Sequence, residues 1–321
     1  MSISLAIKEF KEKHKINSPS SVKDIARFFS ALKEELEKGY INAQIIADFL
    51  QKNIASEEKR TRKVTARDFE DFVAAVFGGK VMDNESRKNE ISVNLKGVEE
   101  FVAAYVASNR REKMDVKFSN FGVSVKTFVP ENKEINMGSF AREALFHNFL
   151  TLEEYGGERK SGLGSRPQML KVFNKIKDQG RWKDFCKRFE VMITGIFEDD
   201  MLNVVKGGSV MEIYVISGND FQKLMMERIK KGPESAVSII NRYEGNSIRI
   251  NRDPVFEHSE RINLDFKLLE NSKLKEIYKC LAELDRYIFN GLNGKIKKRE
   301  LQEKMILELT KIIDIIENTN I

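Results

Sequence analysis

Residues 114–128 read MDVKFSNFGVSVKTF. Two β-prone runs flank Ser119–Gly122, and Asn120 and Gly122 are residue types that tight turns favour, so the segment predicts a β-hairpin. Pro130 ends its second strand, because proline cannot donate to a ladder. Side chains alternate between the two faces of a strand, so Ser124 and Lys126 point the same way. Asp115 stands on the partner strand. A carboxylate and an ammonium can therefore meet across this hairpin.

Upstream the chain reads as helices. Ser20 or Ser21 can cap VKDIARFFSALKEELEKG, in which Ile25, Phe28, Phe29, Leu32 and Leu36 recur at helical spacing. Gly39 ends that helix and INAQIIADFLQKN follows. Residues 56–67 carry Lys59, Arg60, Arg62, Lys63 and Arg67. Thr65 can then cap ARDFEDFVAAVFG, with Phe69, Phe72, Val73 and Val76 on a buried face and Gly78-Gly79 as its stop. Lys80–Met82 is strand-like. A helix over KGVEEFVAAYVASN leads to the basic run Arg110, Arg111 and Lys113.

Downstream, Gly138-Ser139 predicts the start of a helix over FAREALFHNFLTLEEYG. A glycine-rich loop, Gly156–Arg166, leads to a helical stretch holding Trp182, the lone tryptophan. Val210–Ile216 is the clearest buried strand. Residues 219–244 read as mostly helical, Ser247–Ile250 as a short strand, and the chain from about 268 onward as helical. In the last helix Leu301, Met305, Leu309, Ile312 and Ile316 form one stripe, suited to packing on the parent domain or on a second copy.

Composition narrows the class. At 41% hydrophobic and 32% charged residues the chain is expected to fold around a sizeable core. Two cysteines without metal-ligand spacing fit a reducing, cytoplasmic setting. The start lacks the long apolar run of a secretory signal, and no stretch approaches the roughly 20 apolar residues that span a bilayer. The net charge of +6 suits a polyanion, since each neutralised phosphate releases counterions, although it also serves solubility. His14, His147 and His258 are scattered and form no zinc motif. Cys186 reads as core, and Ser165 lacks a nucleophile elbow.

Phosphodiester hydrolysis draws on a divalent metal to activate water and absorb charge. Hard cations take carboxylate oxygens, and a nearby lysine can orient the water or stabilise developing charge. Asp115 and Lys126 supply those groups, and Glu70 lies about two turns before the Gly-Gly stop of the preceding helix. Helix with glutamate, strand, aspartate strand, strand ending in Val-Lys and following helix together resemble the core of the PD-(D/E)xK nucleases, among which type II restriction endonucleases are the most familiar. The resemblance covers about residues 66–152, with Val210–Ile216 as a later core strand. Two departures stand out: Met114 replaces the motif's proline, and Ser124 occupies the triplet's usual acidic position.

The resemblance implies an α/β (mixed α+β) fold with a restriction-endonuclease-like central mixed sheet flanked by helices. It divides the chain into a helical N-terminal subdomain over 1–55, a nuclease core with DNA-contacting loops over 56–265 and a helical C-terminal segment over 266–321. It implies Mg²⁺, with Mn²⁺ able to substitute, held by Asp115, Glu70 and the Val125 carbonyl. Lys126 would serve the attacking water, and Ser124 would offer only a neutral oxygen. The implied activity is site-specific cleavage of double-stranded DNA leaving 5′-phosphates, and a homodimer would match a palindromic site.

Candidate DNA contacts are Arg60, Arg62 and Lys63 before the Glu70 helix, Arg111 before Asp115, and Lys160 and Arg166 in the glycine-rich loop. For reading bases the candidates are Arg242, Asn246, Arg249 and Arg252, because arginine and asparagine pair bidentately with guanine and adenine edges. Each also has a plainer reading as a solvated linker, connector or edge strand. Asp115 and Lys126 could equally be an ion pair on a wet sheet face, with Glu70 as solvated as its neighbours Asp68 and Asp71. A non-catalytic DNA-binding protein and a repair or RNA-processing nuclease remain alternatives.

Overall fold

The computed structural model describes residues 2–56, 64–82, 114–140, 142–155, 163–197, 199–245 and 247–318. Arg60, Arg62, Lys63, Arg111, Lys160, Asn246 and the helix expected over residues 96–109 lie outside the described residues.

Nine strands occur among the described residues: β1 Lys80–Val81, β2 Val116–Lys117, β3 Gly122–Phe128, β4 Glu134–Ser139, β5 Asp200–Lys206, β6 Val210–Ile216, β7 Ile240–Glu244, β8 Ser247–Asn251 and β9 Glu260–Asp265. Six form one mixed sheet in the order β1-β2-β3-β5-β6-β9. β3 and β5 run parallel; every other neighbouring pair in this sheet is antiparallel. The remaining three form a second, antiparallel sheet in the order β4-β8-β7.

The helices are α1 Ile3–Lys13, α2 Val22–Glu37, α3 Ile41–Leu50, α4 Val64–Phe77, α5 Arg142–Phe146, α6 Leu152–Tyr155, α7 Arg166–Asp178, α8 Trp182–Ile196, α9 Gly218–Lys230, α10 Pro233–Ile239, α11 Arg252–Glu257, α12 Lys273–Leu292 and α13 Lys298–Glu317. A parallel pair requires a crossover connection, and α5 to α8 lie between β3 and β5 in the chain. The molecule is therefore mixed α and β, with a central mixed sheet flanked by helices.

Alternation along the strands divides the core. Val123, Val125, Leu202, Val204, Ile213 and Val215 face one side, where they join α1 to α4 in one apolar cluster. Phe128, Met201, Val205, Tyr214 and Ile216 face the other, against α5 to α10. The helices of residues 3–55 thus share a core with the sheet. Phe28, fully buried, knits them together: its ring lies 5.2 Å from Phe10, 5.3 Å from Phe29 and 5.3 Å from Phe77 of α4.

The hairpin forms where the sequence predicts it. The Phe118 amide donates to the Phe121 carbonyl at 2.9 Å, and the two rings stack at 4.9 Å across the turn. Other stretches differ from expectation. Glu134–Ser139 is a strand, and the expected helix after Gly138 breaks into the short α5 and α6, because Asn148 takes a left-handed backbone (φ 67°) between them. Residues 240–244 are a strand rather than the end of a helix. β5 and β9 had no counterpart in the sequence reading. No helix among the described residues is long and apolar enough to cross a membrane.

Phe28→Ala would open a cavity between Phe10, Phe29, Phe72 and Phe77. Urea denaturation should register a loss of about 3–5 kcal/mol with an unchanged m-value.

Candidate active site

The hairpin's register sets the site. Val116 pairs with Val123 and Lys117 with Gly122. One step further the Asp115 amide donates to the Val123 carbonyl at 2.8 Å, and the Asp115 carbonyl accepts from the Met82 amide at 2.9 Å. Its backbone thus bridges two strands, and its side chain is held beside β3.

One carboxylate oxygen, Asp115 Oδ2, collects three donors: the Val125 amide at 2.8 Å, Lys126 Nζ at 3.1 Å and Ser124 Oγ at 3.3 Å. Asp115 is 8% exposed. Burying a carboxylate is costly unless it is paired and hydrogen-bonded, and these three contacts offset that cost. The ion pair is therefore not one on a wet face. The Glu70 side chain is 13% exposed, whereas that of Asp71 next to it is 58% exposed, so Glu70 is not one more solvated helix residue. Arg67 approaches Glu70 at 3.8 Å.

Glu70, Asp115, Ser124, Val125 and Lys126 all line one cavity of about 450 Å³. The residues expected to carry chemistry are thus brought together. The cavity also takes in residues that the sequence did not single out. Asp199 enters from just before β5, because the parallel register sets Val123 beside Asp200. Gly122 leaves the room: a Cβ there would lie 2.6 Å from Met114 Sδ and 2.8 Å from Asp199 Oδ1. Phe197 and Phe221 give an apolar wall, and Asn136 to Gly138 of β4 bring the second sheet to the rim.

Asn203 pairs with Lys126 in the register and is fully buried, with neither amide atom hydrogen-bonded among the described residues. A buried unsatisfied amide is the kind of signal that only tertiary structure provides. Among the described residues no group of three carboxylate, histidine or cysteine side chains converges tightly enough to hold a metal by itself.

The expected base-reading segment lies one strand beyond the rim, since Asn136 of β4 pairs with Arg249 of β8. Its arginines are already engaged. Arg242 grips Glu134 bidentately, Nε to Oε1 at 3.0 Å and Nη2 to Oε2 at 2.8 Å. Arg249 pairs with Glu244 at 2.7 Å. Arg252 is 7% exposed and donates to the Pro130 carbonyl at 3.2 Å, which makes it a brace for the loop before β4 rather than a group turned outward. Arg166 stays exposed at the first turn of α7.

Compared with protein-family models, with curated proteins and with solved structures, the chain matches none.

Hydrogen bonds from Arg242 hold the Glu134 carboxyl below its ordinary range, against the opposing effect of burial; the Arg242 charge and Asn241 add to the lowering. A depressed carboxyl stabilises the fold above its unfolded pKa and loses that contribution as pH falls through the lower folded value. Glu134→Gln should therefore cost about 1 kcal/mol at neutral pH and leave acid stability nearly unchanged. Chemical denaturation at pH 7 and near pH 3 checks both arms.

Proposed function

We propose that the chain is a metal-dependent nuclease of the PD-(D/E)xK kind acting on duplex DNA. One observation carries the reading: Asp115 and Lys126 meet at Asp115 Oδ2 inside a cavity that Glu70 and Asp199 also line. The order of elements supports it too. Helix α4 with its glutamate, three antiparallel strands β1 to β3, intervening helices and then β5 parallel to β3 follow the pattern expected of a restriction-endonuclease-like core.

The donor set fits magnesium. That ion is usually bound by one or two carboxylates, its remaining positions being filled by water and substrate phosphate. Asp115 and Glu70, with the Val125 carbonyl, would hold it, and Asp199 would supply the charge that Ser124 cannot. When bound, the ion would polarise the scissile phosphate and lower the pKa of an attached water.

The chain's own residues would do the rest. The Val125 amide and Ser124 hydroxyl fix the rotamer of Asp115 by occupying one oxygen, which leaves its direction set before substrate arrives. Lys126, anchored to the same oxygen, presents its ammonium where the attacking oxygen or the developing phosphorane charge would lie. Phe197 and Phe221 limit water on one side of the cavity. The strand β4 at the rim, backed by β8, would meet the duplex. The arginines behind it, Arg242 of β7 and Arg249 of β8, are balanced by Glu134 and Glu244, so sequence reading would require exchanging those ion pairs for contacts with bases.

The test is incubation of supercoiled plasmid with the protein in Mg²⁺ and in Mn²⁺. Discrete fragments are expected, and Asp115→Asn and Lys126→Ala should each slow cleavage by roughly 100-fold or more while duplex binding persists. Calorimetric titration with Mn²⁺ should show weaker metal binding by Asp199→Asn as well as by Asp115→Asn. Duplex binding without cleavage in either metal would overturn the reading in favour of a non-catalytic DNA-binding protein.

A further inference from the structure

Helices α12 and α13 carry apolar side chains that no described residue covers. On α12, Leu281, Ile288, Phe289 and Leu292 are exposed, Phe289 by 62% and Leu292 by 83%. On α13, Ile306, Leu309 and Ile313 are exposed by 63%, 47% and 52%.

Their spacing decides whether they form one surface. The two helices meet along a seam in which Cys280 bonds with Glu308, and a Cβ on Gly291 would run into Leu301. At 3.6 residues per turn, Leu281, Ile288 and Leu292 lie roughly a quarter turn from the α12 seam, and Phe289 lies nearly half a turn from it, at one outer edge of the face. On α13, Leu309 and Ile313 lie between a quarter and a little over a third of a turn from the seam, in the same sense along the chain, and Ile306 lies closer to half a turn, at the other outer edge. The helices are antiparallel: Lys273 Nζ, at the start of α12, donates to the Asn318 carbonyl just past α13 at 2.9 Å. Reversing a helix reverses both the direction to its neighbour and the apparent sense of its winding, so the two stripes emerge on the same side of the hairpin. Leu307 emerges on the opposite side. Asp285 and Gln302 are the polar interruptions within the shared face.

We propose that this face is a self-association surface, against which a second copy of the chain lays its own α12–α13 hairpin to close a four-helix bundle. Side chains of this size present on the order of 200 Å² when fully exposed. At the observed exposures the face therefore offers roughly 700 Å² per copy, close to the roughly 800 Å² per partner of a standard specific interface. That exceeds the few hundred Å² that a monomer ordinarily leaves in one apolar patch. A two-fold axis needs no second kind of surface, since the same patch serves both copies. The charges beside the face are mixed in sign and paired within the hairpin, as in Arg299–Glu303, Lys304–Glu300 and Arg286–Glu283. Such a surface carries no net attraction for a polyanion or an acidic bilayer. The inference stands on this surface alone and does not rest on the nuclease reading.

The test is light scattering coupled to size exclusion on the full chain at micromolar concentration. The wild type should run at twice the 37.0 kDa monomer mass. The combination Phe289→Lys, Leu292→Lys and Ile313→Lys should run as a monomer with the circular dichroism of the wild type. Leu307→Lys, on the opposite side, should remain dimeric. Should the combined variant lose its helical signal, Leu309→Lys alone provides the same test. A monomeric wild type, or a dimer that survives these changes, would overturn the proposal. So would a monomer that cosediments with neutral phosphatidylcholine vesicles, which would make the face a bilayer contact instead.

Discussion

The parallel pairing of β3 with β5 is the constraint on which the rest of the molecule depends. A parallel pair inside a mixed sheet is buried on both faces, so helices have to cover both sides. On one side that cover comes from α1 to α4, which explains why phenylalanines from the first 77 residues converge under Val125 and Leu202. On the other side it comes from α5 to α10. The same pairing fixes the site. Ser124 lies beside Met201 and Lys126 beside Asn203, so whatever immediately precedes β5 arrives next to Gly122 and the open end of the hairpin. Asp199 occupies that place, and the absent side chain at Gly122 is what admits it.

Within this frame the Asp115 carboxylate does two things at once. As a buried acceptor it ties the end of β2 to β3 through the Val125 amide, which is a structural bond. As the partner of Lys126 it brings opposite charges together at the mouth of a cavity. A surface ion pair contributes little to stability, typically below about 1 kcal/mol. Burial of the carboxylate to 8% exposure is therefore hard to explain by the ion pair alone. The amide and hydroxyl bonds offset the burial, and the position of the pair beside Glu70 and Asp199 is the basis of the proposed nuclease reading.

Much of this was legible in the sequence because it is local. The hairpin 114–128 announced itself through alternation and a turn, α2 through apolar residues at helical spacing, and α4 through its apolar face and Gly-Gly stop. Asp115, Glu70 and Lys126 could be placed on the right elements for the same reason. What escaped was non-local. β5 reads DMLNVVK, whose Asn203 and flanking Asp200 and Lys206 hide a strand buried on both faces. β9 reads ERINLD, an edge strand with alternate polar residues and no strong hydrophobic run. Glu134–Ser139 carries Gly138 at φ 76° one residue before its end, which looks like the start of a turn and helix until β8 is known to pair with it. Asp199 could not be singled out because its role depends on register with a strand some 75 residues earlier, and sequence spacing carries no information about that register.

The arginines make the same point in reverse. Arg242, Arg249 and Arg252 look alike as letters, yet the fold assigns them different tasks according to burial. Arg252 is enclosed and spends its donors on Pro130 and Asp253. Arg242 is a third exposed and clamps Glu134, so it stitches β7 to β4 across the intervening strand β8. Arg249, between them, reaches Glu244 with one terminal nitrogen, while its Nε is buried without a hydrogen-bond partner among the described residues. Arg249 is the cheapest of the three to redirect, because its ion pair runs through one terminal nitrogen to a glutamate that is itself 55% exposed, and such surface pairs contribute little. Of the arginines in this sheet, Arg249 is therefore the one best placed to exchange an internal acid for an external acceptor, and it sits directly across from the cavity-lining Asn136.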